Sequence, residues 1–302
     1  MKPVLILYLV LCAVVAVFIA VWIVEARRVT RRGPQGGSGS TWPDAVQLLI
    51  GFVTDFFDTL GIGNFAPTTS IFKLKKMVPD ELMPGTLNVG HSLPVVTEAL
   101  IYISIIKVNA VTLILMIAAS VAGAWLGAPV VARWPRRAIQ IGLGGVLIAA
   151  AALMLMSQFQ LLPIGGNALA LSGAGLAAGL AGSFALGALM TLGLGFYAPC
   201  MIMVSILGMD PKAAFPIMMG ACAFLMPVAS IQFVRRERYS LRPALGLTLG
   251  GIPGVLLAAF IVKSLPLGAI RWLVVCVVLY AATAMLRSAL RERKKEISGI
   301  SV

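Results

Sequence analysis

Residues 4–24 form one uninterrupted apolar stretch, and ten more apolar runs follow it. They lie at 45–60, 64–72, 84–106, 109–132, 138–157, 168–192, 196–207, 213–234, 243–262 and 270–286. A helix needs about 20 apolar residues to cross the hydrocarbon of a bilayer. Most of the runs approach that length, while 64–72 and 196–207 fall well short of it. The pattern predicts an all-α polytopic membrane protein. Of the 302 residues, 60% are hydrophobic and 12% charged. Soluble domains carry about 45–50% apolar and about 25% charged residues, so an ordinary soluble enzyme, a nucleic-acid module and a disordered chain are excluded together. The net charge of +13 comes from short basic clusters between apolar runs, the usual form of membrane topology signals. Cys12, Cys200, Cys222 and Cys276 lie inside apolar runs, without metal-site spacing or a disulfide framework.

The first stretch exceeds the core of about 7–15 residues typical of a signal peptide. It ends in Trp22 and Glu25, followed by Arg27, Arg28, Arg31 and Arg32. It is expected to be a permanent first span (1–32), with its N-terminus outside and the arginines in the cytoplasm. Residues 33–43 read as a linker, because 33–41 are mostly glycine and serine.

An internal repeat organises the rest. Thr59-Leu60-Gly61-Ile62-Gly63-Asn64-Phe65-Ala66-Pro67 recurs 132 residues later as Thr191-Leu192-Gly193-Leu194-Gly195-Phe196-Tyr197-Ala198-Pro199. At the same offset Met77 matches Met209, Pro79 matches Pro211 and Pro84 matches Pro216. At an offset of 131, Gly123 matches Gly254 and Pro135 matches Pro266. The copies are expected at 44–157 and 168–290, joined by an outer loop at 158–167, with a basic tail at 291–302. Each would be a broken re-entrant hairpin followed by three transmembrane helices. That count inverts the second copy relative to the first. It also places nineteen of the 24 lysines and arginines on the cytoplasmic side, as the positive-inside rule demands. Two parallel copies would scatter the clusters over both faces. Trp42, Trp134 and Trp272 fall at run boundaries, where interfacial anchors sit. Gly175, Gly179, Ser183 and Gly187 form a small-residue stripe suited to close helix packing.

Two glycine-proline breaks, each opening one of two repeated hydrophobic halves, resemble the TauE/SafE family of sulfite exporters and sulfonate-uptake permeases. The resemblance spans 44–290. It implies a multi-pass protein of the bacterial inner membrane that transports sulfite, a sulfonate or another small organosulfur anion. Asp55 and Asp58, ahead of the first break, depart from the small apolar residues expected there.

Irregular backbone at membrane depth is tolerated where it is buried in protein or lines a watery cavity. In each copy the glycines are expected to end one half-helix and the proline to begin the next, as its first residue. The amides that follow, at Thr68, Thr69 and Ser70 and at Cys200, Met201 and Ile202, would then face an anion at a positive helix end. The expected substrate contacts are Gly61, Gly63, Asn64, Pro67, Thr68, Thr69 and His91 in copy one. In copy two they are Gly193, Gly195, Tyr197, Pro199 and Cys200. Inverted repeats would bring both breaks to the midplane, the usual place of a secondary transporter's site.

Asp55, Asp58, His91 and Glu98 are the ionisable groups inside copy one, and copy two has none at the matching positions. Ionisable residues within spans mark pathways and proton relays, so these four are the coupling candidates, with a proton or sodium as the coupling ion. Asn88, His91, Glu98 and Tyr102 share one helix face. A purely structural pair, such as His91 with Asp58, is the plainer alternative. A cation or metal transporter using Asp55, Asp58, His91 and Glu98 as ligands is the second functional reading. A membrane enzyme is a third, opposed by the lack of any nucleophile-base spacing. No cofactor and no nucleic-acid partner are expected, and a homo-oligomer is left open. Anion binding that tightens as pH falls from about 8 to about 6 is expected, because His91 and a buried carboxylate both gain protons there.

Overall fold

The computed structural model describes residues 3–31, 42–127, 136–159, 166–190 and 196–297. Among them it is all-helical, with one isolated bridge between Ala168 and Met209. The helices are α1 (Pro3–Arg31), α2 (Ala45–Thr59), α3 (Phe65–Leu74), α4 (Met83–Ile105) and α5 (Ala110–Ala122). They continue with α6 (Arg136–Gln158), α7 (Gly173–Met190), α8 (Tyr197–Ile206), α9 (Ala214–Arg235), α10 (Leu241–Ser264) and α11 (Leu267–Ile297). Among the described residues, five stretches are long and apolar enough to cross a membrane: Pro3–Arg28, Gly173–Met190, Pro211–Arg235, Leu241–Val262 and Trp272–Leu290. The run at 109–132 begins as α5 and then loosens into a π-helical turn at Gly123–Gly127. The expected linker at 33–43 lies outside the described residues apart from Trp42 and Pro43, as do Trp134, Gly193 and Gly195.

Local sequence explains where the first broken helix starts and stops. Asp44 caps α2, accepting from the Gln47 amide at 2.8 Å while Gln47 Oε1 accepts from the Asp44 amide. This reciprocal capping box satisfies two otherwise unpaired donors. At the other end Gly61 takes φ +91°, and the Gly61 and Ile62 amides fold back onto Asp58 O and Phe57 O. That is a Schellman stop, which favours glycine because only glycine enters the left-handed region freely. Gly63, also at φ +91°, completes the break. The proline expectation needs correction. α3 begins at Phe65 with Asn64 at its N-cap, so Pro67 is the third helical residue, and the Thr68 amide already bonds Asn64 O at 3.1 Å. Pro199 holds the same third position in α8, and the Cys200 amide bonds Phe196 O at 3.1 Å. The amides ahead of the first intrahelical bond are those preceding each proline, not those following it.

The repeat is visible in backbone detail. α3 ends with Met77 N donating to Phe72 O and Lys76 N to Lys73 O, with Lys76 at φ 50°. α8 ends with Met209 N donating to Val204 O and Gly208 N to Ser205 O, with Gly208 at φ 78°. The same stop thus occurs twice, at the offset read from the sequence.

The chain forms two compact units, each drawing on both copies. Unit 1 holds residues 1–105 and 222–264, and unit 2 holds 106–221 and 265–302. In unit 1, α10 lies against α2 and α4, and Phe18 and Trp22 of α1 are buried with Val89, Val234, Tyr239 and Ala244. In unit 2, α5 lies against α7, and α6 against α11. The two interlocks follow one plan. A Cβ on Gly254 would collide with Phe52 O, and one on Gly123 would collide with Phe184 O. These are the same pair of positions in the two copies. A second matched pair differs: Asp55 meets Gly251 in unit 1, while Gly187 meets Ser120 in unit 2.

Pro94 lies inside α4 and has no N–H to offer the Gly90 carbonyl one turn back. Thr248 of α10 supplies the missing donor, its Oγ1 reaching Gly90 O at 2.7 Å. Gly90 lets the helices meet there, since a Cβ would lie 2.8 Å from Leu247.

The paired stops make a direct prediction. A left-handed non-glycine residue costs roughly 1–2 kcal/mol. Gly208→Ala should therefore lower stability by about 1 kcal/mol and Lys76→Gly should raise it by a similar amount, both read as thermal melting in detergent.

Candidate functional site

The sequence-predicted ionisable residues converge in unit 1, around the α2–α3 break and the facing side of α4. Asp55, Asp58, His91 and Glu98 are all essentially inaccessible, with exposures of 0–1%. Asn64 occupies the N-cap of α3 but makes no side-chain cap bond. Its Nδ2 instead donates to Asp55 Oδ1 at 2.9 Å and to Asp58 Oδ2 at 2.8 Å. His91 Nδ1 lies 2.7 Å from the same Asp55 Oδ1, so the histidine's partner is Asp55 rather than Asp58. His91 Nε2 lies 3.1 Å from Thr68 Oγ1, and Phe65 covers the imidazole with ring centroids 6.0 Å apart.

The hydrogen inventory sharpens this picture. Thr68 Oγ1 has one hydrogen and donates it to Asn64 O at 2.7 Å. While it does so, it can only accept from His91 Nε2–H, in the tautomer that carries a hydrogen there. His91 Nδ1 and Asp55 Oδ1 share one hydrogen bond, in which the donor depends on the tautomer of the imidazole. Both ring nitrogens are thereby engaged within the protein.

Two turns further along α4, Glu98 Oε1 lies 2.8 Å from Thr59 Oγ1. Thr59 Oγ1 also reaches Asp55 O at 2.7 Å. Tyr102 OH donates to Thr59 O at 2.9 Å. Asp55 Oδ2 and Glu98 Oε2 are buried with no hydrogen-bond partner among the described residues. Asn88 stands apart, its Nδ2 bonding Pro84 O at 2.8 Å.

Sequence reasoning passed over three participants. Thr59 was visible only as a letter of the repeat. Thr248 was detectable through the acceptor that Pro94 leaves open. Gly251 leaves the room that Asp55 Oδ2 occupies, since any Cβ there would strike that oxygen.

The second break is less polar. α8 also lacks a side-chain cap, with Phe196 at its N-cap. Tyr197, Ala198, Pro199 and Cys200 are buried at its start. The positions matching Asp55, Asp58, His91 and Glu98 are Gly187, Met190, Ala223 and Ser230. Gly61 and Gly63 form the first break and Asn64, Pro67, Thr68 and Thr69 lie at the start of α3, while Gly193 and Gly195 lie outside the described residues. Among the described residues no three His, Cys, Asp or Glu side chains group as metal ligands, because Asp55 and Asp58 turn onto Asn64 and His91 instead.

A family model described as Sulfite exporter TauE/SafE matches residues 2–154 and 168–301. The chain belongs to the TauE/SafE family. The match takes in the leading helix α1 as well as both copies, so this family member is a multi-pass membrane transporter of the sulfite and sulfonate type. No curated protein and no solved structure matches the chain.

Because Asn64 is the shared donor for two carboxylates, Asn64→Asp should be worse than its size suggests. The near-isosteric change replaces a donor by a third acceptor, and unsatisfied buried groups cost about 1–3 kcal/mol, more when charged. A drop of at least that size in unfolding free energy, with a smaller drop for Asn64→Gln, is the expected result in detergent denaturation.

Proposed function

We propose that this TauE/SafE protein is a secondary transporter for sulfite or a small sulfonate, and that its two copies divide the work. The start of α8 takes the anion, and the acid-rich break of copy one handles coupling. The observation that carries the proposal is the contrast between the breaks. Both half-helices start without a side-chain cap, so each presents the positive end of a helix dipole, equivalent to roughly half a charge. At α3 that end is already met by Asp55 and Asp58 through Asn64. At α8 the matched positions are Gly187 and Met190, which bring no carboxylate to compete with an incoming anion. Ala198 supplies an amide ahead of the first intrahelical bond, and Cys200 sits one residue past the proline. Broken helices serve ionic substrates in this way in secondary transporters. The inverted arrangement of the copies, the N-terminus outside and the C-terminus in the cytoplasm belong to the same reading, supported by the distribution of basic residues.

Transport of radiolabelled sulfite in proteoliposomes tests the division. Cys200→Asp places a fixed negative charge at the start of α8, where a like charge costs several kcal/mol. It should raise KM for sulfite by more than about tenfold, or abolish uptake, while Cys200→Ser stays near wild type. Asp58→Asn should instead abolish or uncouple transport while expression and folding persist. Equal effects of acidic substitutions at Thr68 and Cys200 on KM would refute the division.

A further inference from the structure

Each half of the first broken helix is tied to α4 by a threonine hydroxyl. Thr59 is the last residue of α2, and Thr68 lies in the first turn of α3. Each hydroxyl touches the carbonyl one turn back in its own segment, Asp55 O for Thr59 and Asn64 O for Thr68, at 2.7 Å. Each also touches a titratable side chain of α4, Glu98 or His91. A hydroxyl carries one hydrogen, and a backbone carbonyl can only accept. Both contacts of a threonine are therefore satisfied together only when the α4 side chain brings a hydrogen of its own.

For Thr59 this condition singles out the neutral acid. With a hydrogen on Oε1, Glu98 donates to Thr59 Oγ1, and Thr59 donates to Asp55 O. The remaining oxygen, Oε2, is buried and unpartnered among the described residues. An unpartnered carbonyl oxygen is tolerable there, whereas an unpartnered carboxylate oxygen is far more costly. Among the described residues, the elements packed around Glu98 bring no free cation to it. α2 contributes Asp55 and Asp58, and α3 contributes Asn64 and Thr68, with Lys73 at its exposed far end. α4 itself adds Tyr102 and His91, the latter engaged by Asp55. The charged residues of α10, Arg242 and Lys263, are its second and penultimate residues, and those of α1 cluster at its end, from Glu25 to Arg31. The part of α9 in this unit carries Arg235 as its last residue.

We propose that Glu98 carries the coupling proton on Oε1, and that Thr59 converts its loss into a change at the break. When the proton leaves for water on the face to which the site is open, Glu98 becomes an acceptor. Thr59 must then turn its hydrogen from Asp55 O to Glu98 Oε1. Asp55 O loses that contact at the last turn of α2, immediately before Gly61 and Gly63. The His91–Thr68 contact holds the α3 side of the break in the same manner. The coupling step rests on the transporter reading above, while the protonation of Glu98 does not.

Two measurements separate these layers. Infrared difference spectra of the purified protein should show the carbonyl stretch of a buried, protonated carboxyl. That band should vanish in Glu98→Gln, shift in Thr59→Val and stay in place in Thr59→Ser. Its presence unchanged in Glu98→Gln, or its absence from wild type, overturns the proposal whatever the transport result. The second measurement uses proteoliposomes carrying a pH-sensitive dye, with sulfite and with isethionate, a permanently ionised sulfonate whose charge does not follow pH. Proton movement should accompany isethionate flux without sodium. In Glu98→Gln and Thr59→Val, accumulation driven by a pH gradient should fall by about an order of magnitude relative to counterflow, a size typical of coupling free energies. Accumulation driven by sodium at zero pH gradient would overturn the proton assignment. Flux of neither anion, with the Glu98 band intact, would sink the sulfur-oxyanion reading and leave the protonated acid standing.

Discussion

A helix interrupted inside a membrane protein must still satisfy its backbone, because hydrocarbon supplies no water to do so. The first break meets that demand with local devices. A Schellman stop at Gly61 satisfies the Asp58 and Phe57 carbonyls at the end of α2. Further along, Thr248 replaces the donor that Pro94 withholds from Gly90. The starts of α3 and α8 carry no side-chain cap bond, and the electrostatic reading centres on them. Positive helix ends in low dielectric draw negative charge more strongly than they would in water. Copy one answers with resident carboxylates. Copy two has none at the matching positions, and that asymmetry organises the functional reading.

Much of this was legible in the sequence, and the reasons differ by feature. The repeat is covalent order, so its offset survives into identical helix stops at Lys76 and Gly208. The position of the first break follows from Gly61 and Gly63, both at positive φ. The face shared by His91, Glu98 and Tyr102 follows from helical period alone. The proline position was misjudged because the two residues ahead of each proline, Phe65 and Ala66 or Tyr197 and Ala198, already belong to the helix, with Asn64 at one N-cap and Phe196 at the other. The His91 partner could not be read either, since Asp55 and Asp58 share a helix face and only three-dimensional packing chooses between them.

The hydroxyl arithmetic was invisible for a different reason. Thr59 and Thr68 look like ordinary β-branched residues near a break. Their significance depends on what stands opposite them in α4, seen only once the helices are packed. A threonine that bonds its own helix four residues back is locally self-sufficient. A second contact makes it a reporter of its neighbour's protonation. Where two such threonines flank one break, the break itself becomes sensitive to protons on α4.

Accommodating an acid in this packing required space from somewhere. The two interlocks, α2 with α10 and α7 with α5, are built alike, as the matched contacts of Gly254 and Gly123 indicate. At the next matched position the small residue has changed sides. In unit 2 the first-helix residue is Gly187, and Ser120 sits across from it. In unit 1 the first-helix residue is Asp55, and the residue across from it has become Gly251. Removing a side chain from α10 made room for one on α2 while leaving the helix spacing to the neighbouring glycine contacts. A Cβ restored at Gly251 would lie against Asp55 Oδ2 and within 2.7 Å of Pro94 Cγ. It would therefore press on the carboxylate that holds His91 and on the α4 proline in one step. The polar network of copy one is thus paired with a specific gap in its partner helix, and neither would pack without the other.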